Sequence, residues 1–165
     1  MDQPSPFEDQ LAALLPRLRR FAHALSRDAA DADDLTQATI ERALRSKSQW
    51  QPGTRLDSWA YRIMRNLWID TARARTRKTA REAPEEEGFS VGEDPRAAME
   101  AAFDLKRVMT AMERLPDEQR EVVALILVEG FGYREVSEML GLPMGTVSSR
   151  LVRGRTALLA MVGER

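Results

Sequence analysis

A chain of 165 residues with 43% apolar and 31% charged composition can bury one core, or two small ones, and stay soluble. It has no cysteine, which excludes disulfides, thiolate metal sites and thiol catalysis. The net charge of −1 hides a division: residues 55–81 carry +6, residues 82–104 carry −7 and residues 144–165 carry +3, so two basic blocks flank an acidic one.

The N-terminal stretch MDQPSPFEDQ lacks the apolar core of a signal peptide. No run reaches the roughly 20 apolar residues that a bilayer span needs. A cytoplasmic protein without membrane insertion is expected. Leu11, Leu14, Leu15, Leu18, Phe21, Ala22 and Leu25 form an apolar stripe at helical spacing and predict a helix over residues 8–26. His23, the single histidine, has no metal-ligand partner and reads as structural. A second helix is predicted from Asp28 to Ser46, opened by Asp28, Asp31, Asp33 and Asp34, with Leu35, Ala38, Thr39, Ala43 and Leu44 available for burial. Asp34, Gln37, Glu41, Arg42 and Arg45 then make its polar outer face, open to water or to a protein partner.

Pro52 and Gly53 predict a loop over residues 47–56, and Asp57 or Ser58 can cap the next helix. On that helix Trp59, Ile63 and Leu67 share the expected core side, while Arg62, Arg65, Asn66 and Arg73 share another. Trp50, Trp59, Tyr61 and Trp68 precede the run Arg73, Arg75, Arg77, Lys78, Arg81. Aromatics beside a basic track suit single-stranded nucleic acid, because bases stack on rings while cations follow the phosphates. Tryptophans at helical spacing also suit a core. That is the preferred reading for Trp59, and for Trp50 both readings stand.

Residues 83–94, APEEEGFSVGED, have little to bury and predict a flexible acidic linker. Asp94 and Pro95 can open a helix that runs to about Glu113, with Met99, Phe103, Val108 and Met112 inward. Leu115-Pro116-Asp117-Glu118 starts another helix, whose VVALILV run at 122–128 is expected to be fully buried before Gly130 and Gly132 break it. Residues 133–155, YREVSEMLGLPMGTVSSRLVRGR, then read as two short helices around a tight turn. Val136, Met139 and Leu140 face inward, Gly141 ends the first helix, and Pro143 opens the second. Val147 and Leu151 face back, leaving Thr146, Ser148, Ser149, Arg150 and Arg153 to point elsewhere. This is helix-turn-helix spacing, in which the second helix enters the major groove. From periodicity alone, an ordinary helical hairpin with a solvated basic face remains open.

No strand pattern, heptad run or internal repeat is visible, so the expected fold is all-α. Two small helical domains are predicted, residues 7–81 and 95–165, joined by the linker at 82–94. No constellation for covalent chemistry can be assembled, and neither a cofactor nor a metal site is expected. One helix-turn-helix buries only about 600–1,000 Å² against DNA and usually works in symmetric pairs. No dimerisation element is visible here, and a monomer with two unlike DNA contacts is expected. A dimeric repressor or activator, and a decoy for a regulatory protein, are the alternatives left by the residues.

The chain resembles bacterial sigma factors of the extracytoplasmic-function type. AADADDLTQATIERAL (29–44) resembles region 2.2, WQPGTRLDSWAYRIMRNLWIDTARAR (50–75) regions 2.3 and 2.4, and LPDEQREVVALILVEGFGYREVSEMLGLPMGTVSSRLVRGRTAL (115–158) region 4. The resemblance implies a non-enzymatic promoter-specificity factor whose partners are core RNA polymerase (the β′ clamp helices and the β flap), promoter DNA and an anti-sigma factor that holds it in check until stress. By resemblance, Asp34, Leu35, Gln37 and Arg42 would dock on polymerase. Trp50, Arg62, Arg65, Asn66 and Arg73 would read and open the −10 element, and Thr146, Ser148, Ser149, Arg150 and Arg153 would read the −35 element.

Overall fold

The computed structural model describes residues 6–79 and 100–163. The acidic linker at 82–94, the proposed cap at Asp94 and Pro95, and Arg81 lie outside the described residues, as do the side chains of residues 75–79 and 100–105. All regular structure among the described residues is helical, and none of the helices there is long and apolar enough to cross a membrane.

The first three helices are α1 (Pro6–Ser26), α2 (Ala29–Arg45) and α3 (Leu56–Thr79), with a single 3-10 turn at Lys47–Gln49. In α1 the stripe of Leu11, Leu18, Phe21, Ala22 and Leu25 is buried, while Leu15 stays exposed at the stripe's margin. The helix ends on Arg27, which takes a left-handed φ of 65° and donates its N–H to the carbonyl of His23. A non-glycine residue there costs about 1 kcal/mol or more, offset by the Arg27 guanidinium, which donates to the Leu115 carbonyl at 2.8 Å and to Asp117 at 3.1 Å. Asp28 caps α2 by accepting the Ala30 N–H. The buried hydroxyls of Thr36 and Thr39 donate to carbonyls four residues back, so neither is left unpaired in the core.

Two expectations for this half are corrected. Leu44 is 46% exposed rather than buried, because it falls beside the stripe set by Ala32, Leu35, Thr39 and Ala43. The deepest face of α3 is Leu56, Ala60, Tyr61 and Met64, while Trp59, Ile63 and Leu67 pack only partly against the core. The helix also begins at Leu56, one residue before the expected cap; Asp57 sits in its first turn and accepts from the Ser58 N–H and from Arg55.

The second set is α4 (Glu100–Glu113), α5 (Asp117–Val123), α6 (Tyr133–Leu140) and α7 (Met144–Gly163). α5 widens into a π turn over Ala124–Val128, closed by the Glu129 N–H reaching the Ala124 carbonyl five residues back. The VVALILV run is therefore not uniformly buried: Val122 to Leu125 are inside, but Leu127 is 53% and Val128 38% exposed. α5 crosses α7 at Gly154, where a Cβ would lie 2.7 Å from Cγ2 of Val123 and 3.3 Å from Cβ of Gln119. Gly154→Ala should therefore lose stability by up to about 2 kcal/mol, since overpacking costs about 1–3 kcal/mol and helix propensity returns about 1 kcal/mol. Urea midpoints of the two proteins check this.

Candidate nucleic-acid interface

α6 and α7 form the helix-turn-helix as the spacing predicts. Gly141 has φ 65° and its neighbour Leu142 donates its N–H to the Ser137 carbonyl, a left-handed helix stop that needs no Cβ. The Pro143 carbonyl accepts from the Thr146 and Val147 N–H groups and starts α7. Val147 and Leu151 are buried against α6 with Val136 and Met139. On the outer face Ser148, Ser149 and Arg153 are exposed, and Thr146 and Arg150 are half-buried. Ser149 Oγ donates to the Thr146 carbonyl, and Arg150 reaches Glu118 only at 3.8 Å.

On α2, Asp34, Gln37 and Arg42 are exposed, whereas Leu35 is buried in the core. Leu35 thus holds the helix in place while the polar three form its outer surface. Trp50 is packed on Phe7 with ring centroids 5.5 Å apart, Phe7 in turn meets Trp59 at 6.0 Å, and the buried indole N–H of Trp50 has no acceptor. Of the α3 set, Arg62, Asn66 and Arg73 are exposed and Arg65 is half-buried. Arg62 and Arg65 are engaged: Arg62 donates to the Glu138 carbonyl at the end of α6, and Arg65 forms a paired contact with the Glu121 carboxylate at 3.0 and 3.4 Å.

These contacts belong to a seam between the two sets of helices that the sequence did not announce. At its centre Glu129, whose side chain is 1% exposed, accepts both Arg20 donors at 2.8 and 2.9 Å, Arg17 at 3.3 Å and the Tyr61 hydroxyl at 2.8 Å. Arg55 bridges Asp57 and Glu135 and lies 4.9 Å over the Phe131 ring, which meets Tyr61 edge-on at 5.3 Å. At the other end Arg120, 1% exposed, donates to the carbonyls of Ala24, Leu25 and Leu115. A cleft of about 490 Å³ opens between α3 and α5, walled by Trp68, Arg65 and Arg73 on one side and Asp117, Glu118 and Glu121 on the other. The available sequence signal was a further charge division: residues 117–138 hold six acids against two arginines.

Burial alone would push the Glu129 carboxyl up, but the hydrogen bonds from Arg20 and Tyr61 and the neighbouring guanidinium charges outweigh it and hold it below the ordinary glutamate range. Asp57 is likewise held low, with burial opposed by Arg55 and the Ser58 N–H. Burial, then the hydrogen bond to Glu129, pushes the Tyr61 phenol up, so it remains a donor. A carboxylate whose folded pKa is depressed stabilises the fold in full above its unfolded pKa, and this is lost as pH falls through the folded value. The melting temperature should therefore hold from neutral pH down to the ordinary carboxylate range and fall below it. Thermal melts at acid pH should show a shallower fall for Glu129→Gln.

The sigma-70 region 2 family model matches residues 11–78 and the sigma-70 region 4 model residues 105–158. The chain is 35% identical over 155 residues to the ECF RNA polymerase sigma factor EcfG of Rhodopseudomonas palustris, covering 93% of this chain and 83% of that protein. It is 32% identical over 164 residues to the RNA polymerase sigma factor CarQ of Myxococcus xanthus, covering 96% and 90%. Among solved structures, the sigma factor RpoE of Bartonella quintana, crystallised with the anti-sigma factor NepR, superposes with a TM-score of 0.79 at 29% identity, over 96% of this chain and 98% of that one.

Proposed function

This chain belongs to the extracytoplasmic-function sigma factors of the sigma-70 family, and on that premise we propose how its surfaces divide the work of promoter recognition. Two domains, residues 7–81 and 95–165, are tethered by the acidic stretch at 82–94. The outer face of α2, through Asp34, Gln37 and Arg42 with Leu35 beneath, docks on core RNA polymerase. The exposed face of α7 enters the major groove at the −35 element. Arg62, Arg65, Asn66 and Arg73 of α3 meet the −10 element, whose flipped bases are captured as the bubble forms. Trp50 can join them only by leaving Phe7. An anti-sigma factor restrains the protein, in keeping with the NepR complex of the Bartonella relative.

The observation that carries this reading is the helix-turn-helix, which seats Val147 and Leu151 inward and leaves Ser148, Ser149 and Arg153 in solvent. With serines at 148 and 149, Arg153 supplies the long cationic reach on the open face of α7. Arg153→Ala should therefore weaken −35-dependent initiation by about 1–3 kcal/mol, roughly 5- to 150-fold, while polymerase binding survives. Run-off transcription with purified core polymerase on a promoter library tests the whole scheme. Promoter-specific transcripts that require the protein are expected, and their absence would overturn it.

A further inference from the structure

Resting on the −10 reading above, we propose that Phe7 is a positioning residue for strand capture: it stores the Trp50 ring where the indole N–H has no acceptor, ready to be handed to an unstacked base.

Trp50 is the one anchor of its segment. Every other residue from Lys47 to Thr54 is exposed, and only Trp50 turns partly inward. The backbone there is held by local bonds: the Trp50 N–H donates to the Lys47 carbonyl, and the Thr54 N–H and hydroxyl both donate to the Gln51 carbonyl. A segment held in this way moves at little cost once its anchor lets go.

The anchor is an apolar box built on the first turn of α1. Phe7, 3% exposed, meets the Trp50 ring at 5.5 Å and the Trp59 ring at 6.0 Å. The Lys47 ammonium lies 5.6 Å from the centre of the Phe7 ring and pairs with Glu8 at 3.3 Å, so the 3-10 turn before Trp50 is tied to the same turn of α1.

Such a box suits the tryptophan ring but not its N–H. A buried indole N–H usually has an acceptor, because an unpaired donor keeps the full cost of its desolvation. Among the described residues, Trp50 Nε1 is the one buried side-chain N or O atom without a hydrogen-bond partner. Leaving the box returns that cost while it gives up the contact with Phe7. The stored and released positions of Trp50 therefore lie closer in energy than those of a ring such as Tyr61, whose hydroxyl donates to Glu129. Once released, the ring can stack on a base and the N–H can reach a phosphate or a base edge. Residues 51–55 alone separate Trp50 from α3, where Arg62 and Asn66 are exposed.

5-Fluorotryptophan gives the full chain three fluorine resonances, one for each tryptophan, and Trp50→Ala assigns that of residue 50. A mixed-sequence single-stranded DNA of about 12 nucleotides should move this resonance as it binds. Phe7→Leu keeps an apolar side chain under the ring but removes the aromatic contact, and it should tighten strand binding about tenfold as the released state gains population. Trp50→Ala should weaken binding about tenfold. In that background Phe7→Leu should change nothing, because Phe7 acts through Trp50. Benzothienylalanine in place of Trp50 keeps the ring shape and exchanges the N–H for sulfur, so the melting temperature should rise while strand affinity falls. An unchanged affinity in Phe7→Leu, or an equal change with and without Trp50, overturns the storage role and leaves the −10 assignment of Trp50 standing. A lower melting temperature with benzothienylalanine overturns the stranded N–H as the source of the bias. An unchanged affinity in Trp50→Ala overturns the −10 assignment of Trp50, and the storage role with it.

Discussion

Replacing Arg120 with alanine should release the C-terminal half from the end of α1, at a cost of about 3 kcal/mol to the closed structure. The guanidinium is 1% exposed and donates to the Ala24 and Leu25 carbonyls, which are at the end of α1 and have no further turn to bond to, and to the Leu115 carbonyl. A hydrogen bond from a charged donor contributes about 1.5–3 kcal/mol, and a buried acceptor left empty costs about 1–3 kcal/mol. Against this stands the desolvation of the cation, which pushes the Arg120 pKa down despite the nearby Asp117 and Glu121 carboxylates. Truncation removes the cation but leaves the Ala24 and Leu25 carbonyls without that donor, Leu115 keeping Arg27, and a void beside them, so the loss dominates. Urea unfolding should show an earlier midpoint. Hydrogen exchange should rise first at α5 and at the end of α1, because these are the backbones it joins.

The largest loss is expected for Phe21→Ala, at about 3–5 kcal/mol, the usual range for deleting a buried aromatic. Phe21 is 1% exposed, lies on the face of α1 that packs on α2 and α3, and meets the Tyr61 ring edge-on at 4.9 Å. Tyr61 in turn holds Phe131 and donates to Glu129, so the void opens beneath the residue that carries the seam. Both the melting temperature and the seam should suffer, whereas Glu129→Gln acts on the seam with the core intact. Circular dichroism melts beside hydrogen exchange at α5 separate the two effects.

What was legible in the sequence was local. Gly141, Pro143, Val147 and Leu151 lie within eleven residues, and the conformational freedom of one and the helical spacing of the others fix a turn between two helices without reference to the rest of the chain. The register of α3 was harder to read. Tryptophan and isoleucine advertise a core face, but Ala60 and Tyr61 take the deepest positions because α1 approaches closely there. The VVALILV run misled for another reason: continuous apolar sequence has no period, and the π turn rotates its end into solvent.

The seam could not be read at all from spacing. Arg20 and Glu129 are 109 residues apart, and Arg65 and Glu121 are 56 apart. An arginine on an exposed helix face looks the same in sequence whether it meets water, phosphate or a carboxylate. The candidate −10 residues were therefore visible as a polar set on one face, but the difference between Arg65, which is held by Glu121, and Arg62, Asn66 and Arg73, which are exposed, needed the tertiary arrangement.

The widened turn at Ala124–Val128 adds a constraint of counting. A helix that closes over five residues instead of four holds one more residue than a regular helix of the same rise, and everything after it is rotated by about a hundred degrees. Glu129 comes directly after that extra residue. The carboxylate reaches Arg17 and Arg20 because the chain is one residue longer than regular winding requires, so insertions and deletions between Val123 and Gly130 should be tolerated far less well than substitutions at the same places.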